Sequence, residues 1–411
     1  MKILKITATL IATGLLVAGV SILWIGSGLT PVPDLGKTTV IDREVYNPTY
    51  SASIEKASAQ LVDARVHLVA PALSLAVGVD GELVWAEPHG FANLSTMDPV
   101  KITTRFPIGS VSKSIPAAAV SQLVETGAID LDADIHTYVP GYPPQEYEIT
   151  TRQLLSHQAG IRHYNLAFIP PVFSEMGLNR QFNTVKESLV IFENDDLLFE
   201  PDTDFSYSSF GYTLISAVIE GASNKEFLLV LEDQIFSQLN MNRSQANYSD
   251  RKVSDKVSGC ISRFSDKQVL PEPVTNSSNK WAGGSLLSTP SDLVKFGNAL
   301  LAGQLLQAET LKMMFTPRKT SNGELNPQHY GLGWRIGGMY YPGGTEEIIT
   351  MINHGGTAMG AISVLVLMPD SGLVFAMSAN SAGDAGSSAL LPEAASMIRI
   401  FLDQLSGDHL I

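Results

Sequence analysis

The sequence is poor in cysteine and in positive charge, and each shortage excludes a class of protein. Cys260 is the only cysteine among 411 residues, so neither an intramolecular disulfide nor a cysteine-rich zinc site is possible. Asp and Glu number 41 against 27 Lys and Arg, which gives a formal net charge of -14. Because affinity for nucleic acids comes largely from clustered Lys and Arg, we expect no nucleic-acid partner.

Motifs of other familiar enzyme sites are also missing. No His-Glu-x-x-His run occurs, and the spacing of His157 and His163 is wrong for two metal ligands on one helix face. No Gly-x-Ser-x-Gly run, the nucleophile elbow of the α/β-hydrolases, is present either. We therefore predict no metal ion and no organic cofactor, and we disfavour the α/β-hydrolase architecture.

A long apolar run lies at the N-terminus. Lys2 and Lys5 precede the apolar residues from Ile6 to about Ile25, roughly the 20 residues that a membrane-spanning helix needs. A cleaved signal peptide and an uncleaved anchor both fit, and the length of the run without an Ala-x-Ala site favours the anchor. We predict that residues 1–27 attach the chain to a membrane, with the lysines inside and the rest in the periplasm. Cleavage of this segment would instead secrete the protein to the periplasm.

Hairpins are predicted near both ends of the remaining chain. Ala72–Val79 and Glu82–Ala86 flank Asp80-Gly81, a pair that suits a type I′ turn. Ala361–Met368 and Leu373–Ala379 flank a second turn, of sequence Pro-Asp-Ser-Gly. These runs predict antiparallel strands at both ends.

Apolar residues at helical spacing predict helices elsewhere, over Ser53–Val69, Tyr212–Ala222, Ser291–Leu301 and Ser388–Leu405. Strands at both ends with helices between them predict an α+β fold. One antiparallel sheet is built from both termini and flanked by helices, and a mainly helical lobe is inserted at about 130–327. We predict a linker over 28–50, rich in Pro, Gly and Thr, and one domain over 51–411.

The first candidate site is Ser110-Val111-Ser112-Lys113. Residues three apart lie on the same face of a helix, so the serine hydroxyl and the lysine amine are within reach of each other. A serine nucleophile needs a base, and lysine serves if burial or a nearby cation lowers its pKa from about 10.4. Ser-x-x-Lys occurs at three other places, but only Ser110 opens an apolar helix after a strand-like entry. Pro116 is expected to kink this helix.

Two further segments carry candidate site residues. Tyr207 lies in a Ser-rich loop before an apolar helix, where its phenol is placed to shuttle a proton, or else packs against Phe210. His354-Gly355-Gly356-Thr357 precedes the C-terminal hairpin. Glycines there permit a close backbone approach, and an exposed N–H is suited to an oxyanion hole, although an ordinary turn is the alternative.

In this order, the three segments resemble the serine β-lactamase and penicillin-binding-protein superfamily. The likeness is closest to its class C-like branch, which includes esterases, D-aminopeptidases and a mitochondrial β-lactamase-like serine protease. Three longer runs carry it, over Thr103–Lys113, Ile149–Ile161 and Ala282–Thr289. The resemblance covers residues 52 to 405 and implies the β-lactamase/transpeptidase-like fold.

The resemblance also implies a role for each candidate. Ser110 is acylated, and Lys113 is its general base or positions it. Tyr207 occupies the tyrosine position of the family's Tyr-x-Asn motif. The backbone N–H groups of Ser110 and Thr357 form the oxyanion hole. His157 is assigned to structure.

Substrate-binding positions follow from the same resemblance, at Ser209, His354, Gly355 and Gly356. Two of them depart from the family pattern. Ser209 stands where the family often has an asparagine that binds a substrate amide. His354 stands where classical β-lactamases have lysine, and a neutral histidine loses the charge-assisted bond to a substrate carboxylate. Both departures argue against efficient β-lactam hydrolysis.

The function implied is a serine hydrolase that cleaves an ester or an amide through a Ser110 acyl-enzyme. Peptides, D-amino-acid peptides, small esters and β-lactams all remain possible substrates, and the oligomeric state is open. The alternative is a non-catalytic, membrane-anchored protein that keeps the fold to bind peptides or to assemble. The altered positions Ser209 and His354 motivate this alternative, and the intact Ser110, Lys113 and Tyr207 argue against it.

Overall fold

The computed structural model describes residues 29–37, 42–165, 175–247, 253, 255–265, 268–340, 348–383 and 385–408. The predicted membrane segment, residues 1–27, lies outside them and stays a prediction. Within these ranges, no helix combines the length and the apolar character needed to span a membrane.

The described strands pair into one large and two small antiparallel sheets. In chain order they are β1 (Thr30–Pro31), β2 (Glu44–Val45), β3 (Ala72–Val79), β4 (Glu82–Asn93), β5 (Asp98–Pro99), β6 (Phe106–Pro107), β7 (Gln245–Ala246), β8 (Cys260–Ser265), β9 (Gln268–Pro271), β10 (Leu286–Ser288), β11 (Arg335–Tyr340), β12 (Ile348–Ala358), β13 (Ala361–Met368) and β14 (Leu373–Ala379). The large sheet has the order β11-β12-β13-β14-β3-β4-β2, and β5 pairs with β4. The small sheets are β1-β9-β8 and β6-β10-β7. The large sheet therefore unites strands from both ends of the chain.

The described α-helices surround this sheet and fill the middle of the chain. They are α1 (Ser51–His67), α2 (Ser114–Glu125), α3 (Thr151–Leu155), α4 (Val185–Leu189), α5 (Ser209–Ser223), α6 (Phe227–Leu231), α7 (Pro290–Leu301), α8 (Ala308–Met314) and α9 (Leu390–Asp408). Helices α1 and α9 pack together on one face of the large sheet, and α7 packs on β3 and β14.

Both faces of the large sheet are covered, so β3 and β14 are buried along their whole length and are mostly apolar, with Ser74 and Ser378 as their polar residues. Successive side chains of a strand point to opposite faces. Leu75 and Val77 accordingly join the core beneath α1 and α9, whereas Ala76 joins the core that contains α2, α5 and α7. The sheet is thus the middle layer between two hydrophobic cores.

The predicted α+β fold is confirmed, and both predicted hairpins are present. Strands β13 and β14 have the predicted bounds, while β4 continues beyond Ala86 to Asn93. The four predicted helices correspond to α1, α5, α7 and α9, with ends shifted by a few residues. Pro116 lies in the first turn of α2, where a missing N–H removes no intrahelical bond, so the expected kink is not required there.

Parts of the predicted linker and of the predicted helical lobe pack on other elements of the domain. Within the predicted linker 28–50, Thr30–Pro31 and Glu44–Val45 are strands that pair with β9 and β4, so these parts pack on the domain. Within the predicted lobe, α7 packs on the large sheet rather than among the other helices of the middle segment. The limits 51–411 and 130–327 stay predictions.

Candidate active site

The Ser110 segment lies between a short strand and a buried helix. Strand β6 pairs with β10, and the Ile108 N–H continues this pairing by donating to the Leu286 carbonyl at 3.1 Å. A 3₁₀ helix over Gly109–Lys113 then leads into α2. Side chains three residues apart are eclipsed in a 3₁₀ helix, which brings Ser110 and Lys113 together.

Two glycines allow the Ser110 segment to contact strand β12. Gly109 has a φ of +51°, and a Cβ there would lie 2.7 Å from the Thr357 backbone. A Cβ on Gly356 would lie 1.9 Å from the Ile108 carbonyl oxygen and 2.9 Å from the Ser110 nitrogen. Side chains cannot occupy either space, so this approach of two backbones requires glycine. It brings the Ser110 and Thr357 segments into direct contact.

Lys113 lies fully buried beneath Ser110. Its Nζ lies 3.1 Å from Ser110 Oγ, 2.9 Å from Ser209 Oγ and 2.5 Å from the Gly283 carbonyl oxygen. In the neutral amine, the two N–H groups donate to Ser209 and Gly283, and the lone pair accepts from the Ser110 hydroxyl. Burial, together with the positive charge of Arg335, lowers the pKa of Lys113 well below its ordinary value. A neutral amine beside a serine hydroxyl is a chemically competent general base.

Tyr207 lies at the end of the loop before α5, with its ring facing Lys113. Lys113 Nζ is 5.0 Å from the centre of this ring, and the Arg335 guanidinium carbon is 5.2 Å from it. The Tyr207 hydroxyl is buried and makes no hydrogen bond of normal geometry within the described residues. Burial raises the pKa of Tyr207, and Arg335 and Ser110 act against that increase. The phenol is therefore held in its protonated form beside the serine.

Ser209 begins helix α5, and the preceding Ser208 caps it by accepting a hydrogen bond from the Gly211 N–H at 2.9 Å. This cap fixes the position of Ser209, whose hydroxyl accepts the 2.9 Å bond from Lys113. Only 2% of Ser209 is exposed. Its hydroxyl thus lies against Lys113 at the base of the cavity, and this residue type supplies no amide group to the site.

A cavity of about 480 Å³ opens above these residues. Its described lining consists of Ser110, His163, Tyr164, Tyr207, Ser209, Arg335, Asn353, Gly355, Thr357, Ser387, Ser388 and Leu391. Of the predicted site residues, the lining thus includes Ser110, Tyr207, Ser209, Gly355 and Thr357. Lys113 lies beneath it, and neither His354 nor Gly356 is among the lining residues. No Asp or Glu is found in this described lining, and Arg335 is its charged residue.

The alternation of strand β12 explains which of its residues reach the cavity. Asn353, Gly355 and Thr357 line it, whereas His354 and Gly356 point to the other face. The expectation that His354 contacts substrate directly therefore needs correction. Gly356 is adjacent to the Ser110 backbone rather than to a ligand.

His354 is fully buried, and both of its ring nitrogens are bonded. Nδ1 lies 2.8 Å from the Gly355 carbonyl, which can only accept, so Nδ1 carries the proton. Nε2 then accepts from the Tyr330 hydroxyl at 2.8 Å. Burial, with the charges of Arg335 and Lys113, lowers the pKa of His354 well below its ordinary value. This neutral ring holds Gly355 and Tyr330 in place.

Arg335 is a functional candidate that the sequence analysis missed. It begins β11, pairs with Asn353 of β12, and donates from Nε and from one terminal nitrogen to Gln328 Oε1, at 3.0 and 2.7 Å. Within the described residues it makes no ion pair. It therefore presents a fixed cation to the cavity, with no carboxylate beside it in the described lining. The only signal in the sequence is a basic residue at the start of a strand, which is too common to identify a site.

Two histidines of the middle segment surround Tyr207. The ring of His157 lies 4.2 Å from that of Tyr207, and its Nδ1 accepts from the Ser208 N–H at 3.1 Å, which agrees with the structural role predicted for it. His163, which the sequence analysis considered only as a metal ligand, lines the cavity. Within the described ranges, no three His, Cys, Asp or Glu residues are grouped as a metal site.

The chain is similar to known proteins in sequence and in fold. The family model described as Beta-lactamase matches residues 59–396. The mitochondrial serine beta-lactamase-like protein of Homo sapiens is 30% identical over 400 residues, covering 78% of this chain and 73% of that protein. Penicillin-binding protein 4* of Bacillus subtilis is 25% identical over 266 residues, covering 62% of this chain and 57% of that protein. The solved D-amino acid amidase of Ochrobactrum anthropi superposes with a TM-score of 0.71 at 23% identity, covering 87% of this chain and 99% of that one. The two sequence relatives come from a mitochondrion and a bacterium, so a periplasmic location stays a prediction.

Proposed function

Because the chain belongs to the β-lactamase family of serine hydrolases and penicillin-binding proteins, we propose that it hydrolyses an ester or an amide through an acyl-enzyme on Ser110. The observation that carries this proposal is the 3.1 Å contact between Nζ of the fully buried Lys113 and Oγ of Ser110, which lines the cavity. Burial lowers the pKa of Lys113 and so favours the neutral amine, which can accept the serine proton.

The reaction then proceeds in two steps. Ser110 Oγ attacks the substrate carbonyl carbon as its proton passes to Lys113 Nζ, and the negative charge that develops on the carbonyl oxygen is stabilised by the N–H groups of Ser110 and Thr357. The proton passes from Lys113, by way of the Tyr207 hydroxyl, to the leaving alcohol or amine as the bond to the carbonyl carbon breaks. Water then attacks the acyl-enzyme, the acid is released, and Ser110 regains its proton.

A fluorophosphonate probe tests this proposal on the purified protein. We expect covalent labelling on Ser110, located by mass spectrometry of the peptides, because an activated serine displaces fluoride from the probe. Ser110→Ala should lose this label, whereas Ser112→Ala, which alters a buried neighbouring serine, tests the selectivity of the labelling. Folded protein that takes up no label would favour the alternative, a binding or assembly protein without turnover.

The charge of the cavity supports a narrower proposal, that the substrate carries a carboxylate. Arg335 is the charged lining residue, and two of its N–H groups are already bonded to Gln328, which leaves others free to face an anion. The neutral, buried His354 cannot supply that charge. The net charge of the chain is -14, so a cationic cavity is a local exception that favours an anionic substrate.

Arg335→Gln is expected to lower kcat/KM for a carboxylate-bearing ester by about tenfold to 100-fold, the effect of losing a hydrogen bond to a charged group. Two ester pairs provide the measurement, with the carboxylate on the acyl group in one pair and on the leaving group in the other. Within each pair, the substrate with the free carboxylate is compared with its neutral methyl ester. If the free acid and the methyl ester lose rate equally in both pairs, Arg335 does not recognise a carboxylate.

A further inference from the structure

The family's amide-binding position is occupied by a short hydroxyl group that is almost fully buried. Ser209 stands there, and its hydroxyl accepts the bond from Lys113 at 2.9 Å with only 2% of the residue exposed. A substrate acceptor in this part of the cavity therefore needs a donor from another residue. His163 is a neighbouring lining residue with a donor to offer.

The ring of His163 is held by its neighbours. It stacks on Tyr164 with 4.8 Å between ring centres, and it meets Tyr207 edge-on at 5.8 Å. The Ser209 backbone N–H donates to His163 Nδ1 at 3.1 Å. Three contacts thus fix the ring against the wall of the cavity, next to the proposed proton shuttle.

The hydrogen bond from Ser209 also determines the tautomer of His163. Burial lowers the pKa of His163 to about 4, so the ring is neutral at pH 7. A neutral imidazole has one N–H, and because Nδ1 is an acceptor, the proton is on Nε2. No hydrogen bond to Nε2 exists within the described residues, and Nε2 is not among their buried, unpartnered atoms. The Nε2–H is therefore an accessible, unused donor.

We propose that His163 is a specificity-determining residue, whose Nε2–H donates to an amide carbonyl oxygen in the acyl group of the substrate. This inference rests on the proposed function, since it concerns the substrate of the Ser110 site. Because the Nε2–H donor is uncharged, an uncharged acceptor is its natural partner. A carbonyl oxygen is the strongest uncharged acceptor that an acyl group offers. The acyl group remains on Ser110 through both steps, so the contact acts in acylation and in deacylation.

The test uses two phenyl esters with the same leaving group and the same chain length, those of N-acetylglycine and of pentanoic acid. Only the first has an amide carbonyl. We expect the native protein to prefer the N-acetylglycine ester, and His163→Phe to lower its kcat/KM by about tenfold to 100-fold with little change for the pentanoate.

His163→Gln is the rescue variant. Its side-chain carbonyl can accept from the Ser209 N–H while its amide nitrogen donates to the substrate, so we expect it to keep the preference. Equal losses on both esters in His163→Phe would overturn the inference and make His163 a support for Ser209 alone. Equal rates on both esters with the native protein would overturn it as well. If neither ester is hydrolysed and the probe leaves Ser110 unlabelled, the proposed function itself fails.

Discussion

Lys113→Met is expected to lower kcat/KM for the best ester substrate by about 10²- to 10⁴-fold, the range by which positioned general bases accelerate reactions. Methionine has a similar length and suits a buried site, so the variant removes the amine while keeping most of the packing. Without Nζ, no described residue other than Tyr207 is placed to take the Ser110 proton. Steady-state hydrolysis and the rate of fluorophosphonate labelling both measure the loss.

Lys280→Met provides a matched control. Lys280 is also buried and also follows a serine at the i-3 position, and burial lowers its pKa to about 8. It does not line the cavity beside Ser110. We expect Lys280→Met to change kcat/KM by less than about threefold. If both variants lose activity equally while remaining folded by circular dichroism, the role assigned to Lys113 is wrong.

The pH profile provides an independent test of Lys113. The unprotonated amine is the base, so kcat/KM falls as the pH decreases through the pKa of Lys113. Burial and the charge of Arg335 place that pKa well below its ordinary value, so the rate should reach its plateau well below the pH at which a free lysine loses its proton. A rate that still rises from pH 8 to pH 10 would contradict the depressed pKa. Arg335→Gln removes a positive neighbour and should shift the acidic limb to higher pH.

The hairpins and the Ser110 segment could be predicted because each is specified by a short stretch of sequence. The turn Pro369–Gly372 and the apolar runs beside it determine the hairpin of β13 and β14 without help from the rest of the chain. The Ser110 segment was identified in the same way, since Ser-x-x-Lys before an apolar helix needs only one turn of structure. The fold class then followed from the order of strands and helices.

The parts of the site that were missed depend on long-range placement. His163 precedes α5 and Arg335 begins β11, and each meets Tyr207 only through the tertiary fold. His354 was assigned to substrate binding for a different reason, because the resemblance places it where classical β-lactamases have lysine. In fact Ile348–Ala358 is one strand, and its alternation turns His354 away from the cavity while Asn353 and Gly355 face it.

Gly356→Ala tests whether the contact between β12 and the Ser110 segment positions the nucleophile. The new Cβ would lie 1.9 Å from the Ile108 carbonyl oxygen, 2.8 Å from the Val111 nitrogen and 2.9 Å from the Ser110 nitrogen. All three are backbone atoms, so no flexible side chain can move aside. Strand β12 is paired with β11 as far as Asn353 and with β13 through Gly356, and we expect the Ser110 segment to be displaced instead.

A displacement of about 1 Å costs roughly 100-fold in rate when reacting groups must be aligned. We therefore expect Gly356→Ala to lower both kcat/KM and the rate of fluorophosphonate labelling of Ser110 by about that factor. Gly337→Ala, on the adjacent strand β11, is the control, because a Cβ there meets no atom within 4 Å. If Gly356→Ala is labelled at the native rate, Ser110 stays reactive when the backbones of β12 and of the Ser110 segment are forced apart. Loss of labelling in Gly356→Ala alone, with the folded state retained, would mean that this contact holds Ser110 in its reactive position.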